Sequence, residues 1–235
     1  MSMSGAGLWL TVAGSVNPDS FHWRWGYPHR YCPLCGVVRV FPMNQSDLFS
    51  YLSGRWQDHE PKLLDAPDLR EAAVLVAITD CADDPMLLLT RRSSRMPTHK
   101  GEVAFPGGKC DATDESRIAT ALREAQEEVG LDPAQVRVVG ELDQIASIHG
   151  FLVTPVLAVI PHDVSLVADP GELECLFMAP MSLFRRPPDS YFRREGYCMP
   201  NYQFGDFRIW GLTACVIAEL MNRYWDMKIR VERPM

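Results

Sequence analysis

An α/β fold is what the sequence predicts, because short apolar runs of strand length are interleaved with segments of helical periodicity and no internal repeat relates them. The run Ala72 to Ile78, the turn signal Asp83-Asp84-Pro85 and a second run Met86 to Thr90 predict a hairpin. A basic loop and a Gly-rich turn lead from it to a helix over Asp114 to Val129. There Ile118, Leu122, Ala125 and Val129 recur at helical spacing and form a stripe suited to packing on a sheet. Strand-like runs follow at Val136 to Val139 and Phe151 to Ile160, then a segment Leu173 to Met178. An amphipathic helix around Leu212 to Tyr224 closes the pattern.

Residues 1 to 42 read differently. They hold no Lys and no Glu, yet three of the six Trp (Trp9, Trp23 and Trp25), with scattered Gly and Pro. The expectation is a poorly ordered extension ahead of one domain over residues 43 to 235. An amphipathic pattern of Leu48, Phe49 and Leu52 begins just after Met43, which makes Met43 a candidate biological start.

Whole-chain properties bound the function. With 47% hydrophobic and 23% charged residues, the 235-residue chain has the composition of an ordinary globular protein able to bury a core. Its net charge of -7 argues against sequence-blind nucleic-acid binding, which needs a basic footprint. No apolar run reaches the roughly 18 residues of a membrane span, and the stretch from Leu152 to Ile160 is broken by Thr154 and Pro155. The apolar run Leu8 to Ala13 lacks a basic segment before it, which argues against a secretory signal. Seven cysteines with one close pair do not make a disulfide framework, so a reducing cytoplasm is the expected compartment. The pattern leaves a homodimer open.

The predicted helix holds the chemistry. Glu124, Glu127 and Glu128 stand three and four residues apart, on adjoining turns of the face opposite the apolar stripe. Like charges at that spacing destabilise a helix, and Gly130 followed by Asp132-Pro133 puts two of them near its negative end. A bound cation offsets both costs. Phe105-Pro106-Gly107-Gly108 precedes the helix and can bring backbone carbonyls close to a metal, while Arg123 lies beside the carboxylates and can orient one. Hard oxygen donors of this kind favour Mg2+ or Mn2+.

Gly108 to Leu131 resembles the Nudix box, G-x5-E-x7-R-E-U-x-E-E-x-G-U with U apolar. The second half matches residue for residue in Arg123-Glu124-Ala125-Gln126-Glu127-Glu128-Val129-Gly130-Leu131. Counting back from Arg123 places the first acid at Glu115 and the first glycine at Lys109, so Gly108 stands one residue early and the loop before the helix is one residue longer. The resemblance implies a Nudix-type α/β/α sandwich with a mixed central sheet. It also implies that Glu124, Glu127 and Glu128 hold the metal, that Arg123 orients a carboxylate, and that Glu115 supports the loop-helix geometry. The implied reaction is attack of a metal-activated water on a diphosphate phosphorus. Glu127 or Glu128 is the first candidate for the general base, and Glu172, at a later acidic position found in many members, is the second.

Upstream, Leu88-Leu89-Thr90-Arg91-Arg92-Ser93 and His99-Lys100-Gly101-Glu102-Val103-Ala104-Phe105-Pro106-Gly107-Gly108 are similar to the second signature of coenzyme A pyrophosphatases, with Met96-Pro97 in place of the usual Leu-Arg. The longer loop recurs in that subfamily. The runs Val153 to Val156 and Ile209 to Ala214 are similar to it as well. Independently, Arg91, Arg92, Arg95, His99 and Lys100 make an acid-free basic stretch in an acidic chain, which suits a polyanionic small molecule such as coenzyme A. The rivals are a Nudix hydrolase of NADH, ADP-ribose or another nucleoside diphosphate derivative, and a Nudix-fold binding module without catalysis. Cys32-Pro33-Leu34-Cys35-Gly36 resembles half of a zinc ribbon but lacks a second CxxC to complete four ligands. The other cysteines and Trp210 read as packing residues.

Overall fold

The computed structural model describes residues 48–81, 83–93, 101–194 and 196–233. The 1–42 extension, the Met43 start and the CxxCG segment lie outside them. The described chain runs α1 (Leu48–Trp56), β1 (Arg70–Asp80), β2 (Met86–Arg92), β3 (Val103–Ala104), β4 (Gly107–Lys109) and α2 (Arg117–Val129). It continues through β5 (Arg137–Glu141), β6 (Ile145–Ala146), β7 (Phe151–Pro161), β8 (Leu173–Pro180), α3 (Met181–Arg185), β9 (Ser190–Arg194), β10 (Tyr197–Phe204), β11 (Phe207–Ile209) and α4 (Gly211–Tyr224).

Strands β1 and β7 run parallel along their whole length, from Arg70 opposite Phe151 to Asp80 opposite Pro161. Every other pairing of the main sheet is antiparallel: β2 and β4 on β1, β3 and β8 on β2, β5 and β6 on β7. The two central strands are buried on both faces, which is why they read as largely apolar runs instead of alternating ones. Ala73, Leu75 and Ala77 of β1 point to the side covered by Ala121, Ala125 and Val129 of α2. Val76 and Ile78 point to the other, where Leu48 and Leu52 of α1, Met181 and Phe184 of α3, and Ile217 and Met221 of α4 cover them. The predicted three-layer sandwich with a mixed sheet is therefore the fold observed. A second sheet, β9-β10-β11, packs beside α4. No helix among the described residues is long and apolar enough to cross a membrane.

Three differences from the sequence reading have local causes. Helix α2 starts at Arg117, because the Ser116 side chain caps it by accepting from the Ala119 N–H at 3.1 Å, and Asp114 and Glu115 are left in the preceding turn. The short strands β3, β4 and β6 have two or three residues each, too few to show a period. Trp210, read as core, keeps 37% of its surface exposed.

Gly140, at a register shift between β5 and β7, lets Trp56 of α1 lie flat against the sheet. A Cβ at that position would stand 2.2 Å from the indole, and the indole N–H also donates to the Glu141 carbonyl at 3.2 Å. Gly140→Ala is expected to lower stability by roughly 1 to 3 kcal/mol through overpacking. Urea unfolding checks this as a lower midpoint at unchanged slope.

Candidate active site

Strand β4, the turn after it and helix α2 meet through Arg123. Its Nε donates to Asp114 Oδ1 and its Nη2 to Asp114 Oδ2, both at 3.0 Å. Nη2 also reaches the Lys109 carbonyl at 3.2 Å, and Nη1 is shared by Glu124 at 2.8 Å and Glu127 at 3.1 Å. The guanidinium beside Asp114 is the main reason its carboxyl is held far below the usual range, with the Asp111 N–H and Thr120 hydroxyl assisting. Arg123 is shifted up in return.

Here the structure corrects the sequence reading. Glu115 is exposed, and its neighbour Asp114 binds the arginine. Counting forward from Gly108 by the usual spacing also lands on Asp114, so the extra residue lies between this acid and the helix. A forward count beside the backward one would have found it.

The glycine pair is needed for two different contacts. A Cβ on Gly107 would come within 2.4 Å of the Ala73 carbonyl oxygen, so its absence lets β4 lie against β1. A Cβ on Gly108 would stand 2.5 Å from the Glu124 carboxyl group, so that carboxylate rests on the glycine backbone.

The three helix glutamates differ in environment. Glu127 is exposed and Glu124 half-buried, while Glu128 is only 4% exposed and belongs to the flank of the sheet-facing side, not to an outward acidic face. One oxygen of Glu128 accepts from the Gly107 N–H at 3.2 Å, and the other lies 3.7 Å from Arg92 Nη1. Burial pushes its pKa up to about 7. The Gly107 N–H and Arg92 oppose that rise, and repulsion from Glu172 and Glu124 adds to it. Burial also raises Glu124, with Glu127 and Glu172 contributing repulsion against Arg123.

Glu172 is thus brought within electrostatic reach of Glu124 and Glu128 from a distant part of the chain. The loop before it is tied to the end of α2: the Val167 N–H donates to the Val129 carbonyl at 2.9 Å and the Asp169 N–H to the Glu128 carbonyl at 2.8 Å.

Of the predicted basic cluster, Arg92 faces the site and Arg91 pairs instead with Glu174, its Nε at 3.4 Å. A register shift between Arg91 and Arg92 in the pairing of β2 with β8 separates the two. Arg95, His99 and Lys100 lie outside the described residues.

Among the described residues no three His, Cys, Asp or Glu side chains are gathered as a finished metal site. Glu124 and Glu127 are turned to Arg123, and Glu128 to Gly107. The donor chemistry nevertheless fits a hard divalent cation: the groups are all carboxylates, and the buried one is disfavoured in its charged form by burial and by its acidic neighbours.

The NUDIX domain family matches residues 69–195. The Nudix hydrolase NudL of Citrobacter koseri, itself uncharacterised, is 43% identical over 156 residues, covering 64% of this chain and 81% of that protein. The Escherichia coli K12 protein of the same name is 42% identical over the same shares. A solved Nudix hydrolase from M. smegmatis, RenU, aligns with a TM-score of 0.42 at 24% identity over 48% of this chain and 71% of that one.

The chain belongs to the Nudix family. It is a pyrophosphohydrolase. Enzymes of this family use divalent metal ions.

Two outcomes follow from the geometry. Asp114→Asn is expected to lower kcat about 10- to 100-fold by freeing Arg123, whereas Glu115→Gln leaves kcat near the starting value; steady-state kinetics of both variants checks this. Glu128 titrates near 7 when folded against about 4.3 in an unfolded chain. The folded state therefore holds the extra proton between those values, and the metal-free protein loses stability as pH rises through that window, roughly 3 to 4 kcal/mol. Denaturation of metal-free protein at pH 5 and pH 8 checks it, and a Glu128→Gln variant with undiminished pH dependence contradicts it.

Proposed function

We propose that this enzyme hydrolyses the diphosphate linkage of coenzyme A or a close derivative, releasing 4'-phosphopantetheine and adenosine 3',5'-bisphosphate. The carrying observation is the segment Leu88 to Ser93 with His99 to Gly108, whose order resembles the coenzyme A pyrophosphatase signature and whose Arg92 stands beside Glu128. A polyanion with a diphosphate and a further phosphate suits the acid-free stretch Arg91, Arg92, Arg95, His99 and Lys100.

In this reading Glu124, Glu127 and Glu128 hold Mg2+ or Mn2+. The bound ion supplies Lewis acidity and lowers the pKa of a coordinated water. The chain's own groups do the rest. Water oxygen bonds to a diphosphate phosphorus as the bond from phosphorus to the bridging oxygen breaks, and the water proton passes to a carboxylate. Glu128 or Glu127 is the first candidate acceptor. Glu172, close enough to both Glu124 and Glu128 to raise their pKa values, is the second candidate. Arg92 balances negative charge on the phosphoryl oxygens, and Arg123 keeps Glu124 and Glu127 oriented.

Full-length protein with Mg2+ is expected to convert coenzyme A to the two named products, identified by mass, and Glu127→Gln to abolish the conversion. Faster turnover of NADH or ADP-ribose in the same panel overturns the substrate assignment while leaving the hydrolase intact.

A further inference from the structure

Asp114, the anchor of Arg123, stands where the Nudix motif has a glutamate, so its carboxylate reaches one methylene less far from the backbone. On one side the turn that carries it borders a cleft of about 360 Å³ lined by Glu71, Cys110, Asp111, Glu115 and Arg117. Packing leaves the turn unconfined there, and hydrogen bonds fix the acid instead. Its Oδ1 accepts from Arg123 Nε, while Oδ2 accepts from Arg123 Nη2 at 3.0 Å, from the Asp111 N–H at 2.9 Å and from the Thr120 hydroxyl at 2.8 Å.

These donors are not equivalent. Arg123 is the group being held, and the Asp111 N–H belongs to the same turn as Asp114 and shifts with it. Thr120 comes from the first turn of α2 and is fully buried, so it supplies a fixed point. A helical threonine commonly gives its one hydroxyl hydrogen to the carbonyl four residues back. Here that carbonyl, of Ser116, is 3.3 Å away, whereas the carboxylate is nearer and carries the charge that makes the stronger acceptor. The hydroxyl is therefore committed to Asp114, and the insertion in the loop is bridged back to the helix through it.

We propose that Thr120 is a positioning residue for hydrolysis: its hydroxyl sets Asp114, Asp114 sets Arg123, and Arg123 sets the directions of Glu124 and Glu127. This deepens the proposed function and rests on the reading of those two glutamates as holders of the metal, not on the choice of coenzyme A as substrate.

The test uses full-length protein with Mg2+ and whichever diphosphate substrate it turns over fastest. Thr120→Val keeps the branched shape and removes the donor, and is expected to lower kcat about ten-fold while KM stays within about two-fold. Thr120→Ser, which keeps the hydroxyl, is expected to restore most of the loss. In an Asp114→Asn background, Thr120→Val is expected to add less than about a two-fold further loss, because the hydroxyl acts through that carboxylate. In metal-free protein, amide hydrogen exchange over residues 109–115 is expected to be faster in Thr120→Val than in Thr120→Ser or the unaltered chain. Thr120→Ala, which removes the same hydrogen without placing a methyl group beside the carboxylate, carries the comparison should Thr120→Val not fold. Full kcat without the hydroxyl overturns the proposal, as does a loss that Thr120→Ser does not recover, that persists undiminished in Asp114→Asn, or that leaves exchange in the turn unchanged. If the unaltered protein binds no Mn2+ by calorimetric titration while Thr120→Val still loosens the turn, the metal-holding reading of the glutamates fails, and the role of Thr120 in hydrolysis fails with it.

Discussion

One guanidinium organises the acidic side of this protein. Arg123 sits on α2 yet bonds the turn before it, the loop strand β4 and two carboxylates of its own helix. Carboxylates that would otherwise repel one another share this cation, and the loop cannot shift without breaking the Lys109 contact. An arginine suits the task better than a lysine, because its planar fork can serve several oxygens in fixed directions.

The remaining tension is concentrated in Glu128. It is the one helix glutamate packed against the sheet, and its environment resists the charge that metal binding requires. Where Arg123 neutralises its neighbours permanently, Glu128 has only a backbone N–H and a more distant Arg92. Such a group responds strongly to an arriving cation, since the cation removes the cost that burial imposes. The loop and helix thus divide the labour: Arg123 gives rigidity, and Glu128 gives sensitivity to the metal.

Much of this was legible in the sequence because its signals are long or periodic. The eleven-residue strands β1 and β7 are mostly apolar, and α2 combines a helical stripe with a dense motif. What could not be read was decided by contacts between distant segments. The acid that serves Arg123 depends on where the extra loop residue falls, and a count from one end alone chose Glu115. The separation of Arg91 from Arg92 required knowing that both lie on a strand with a bulge between them. Glu128 was assigned to an outward acidic face because helical periodicity alone does not say how wide the covered stripe is. Trp210 looked like core since its neighbours on both sides are apolar, but the alternation of β11 turned it outward.

The attachment of the loop before β8 to the end of α2 has a consequence for how this architecture tolerates change. Glu172 belongs to a distant stretch of sequence, yet the hydrogen bonds from Val167 and Asp169 make it move with the helix. The stretch between β7 and Val167 packs Val164 and Leu166 on the core beneath α2, so a change there costs packing before it displaces the acidic group that Val167 and Asp169 tie to the helix.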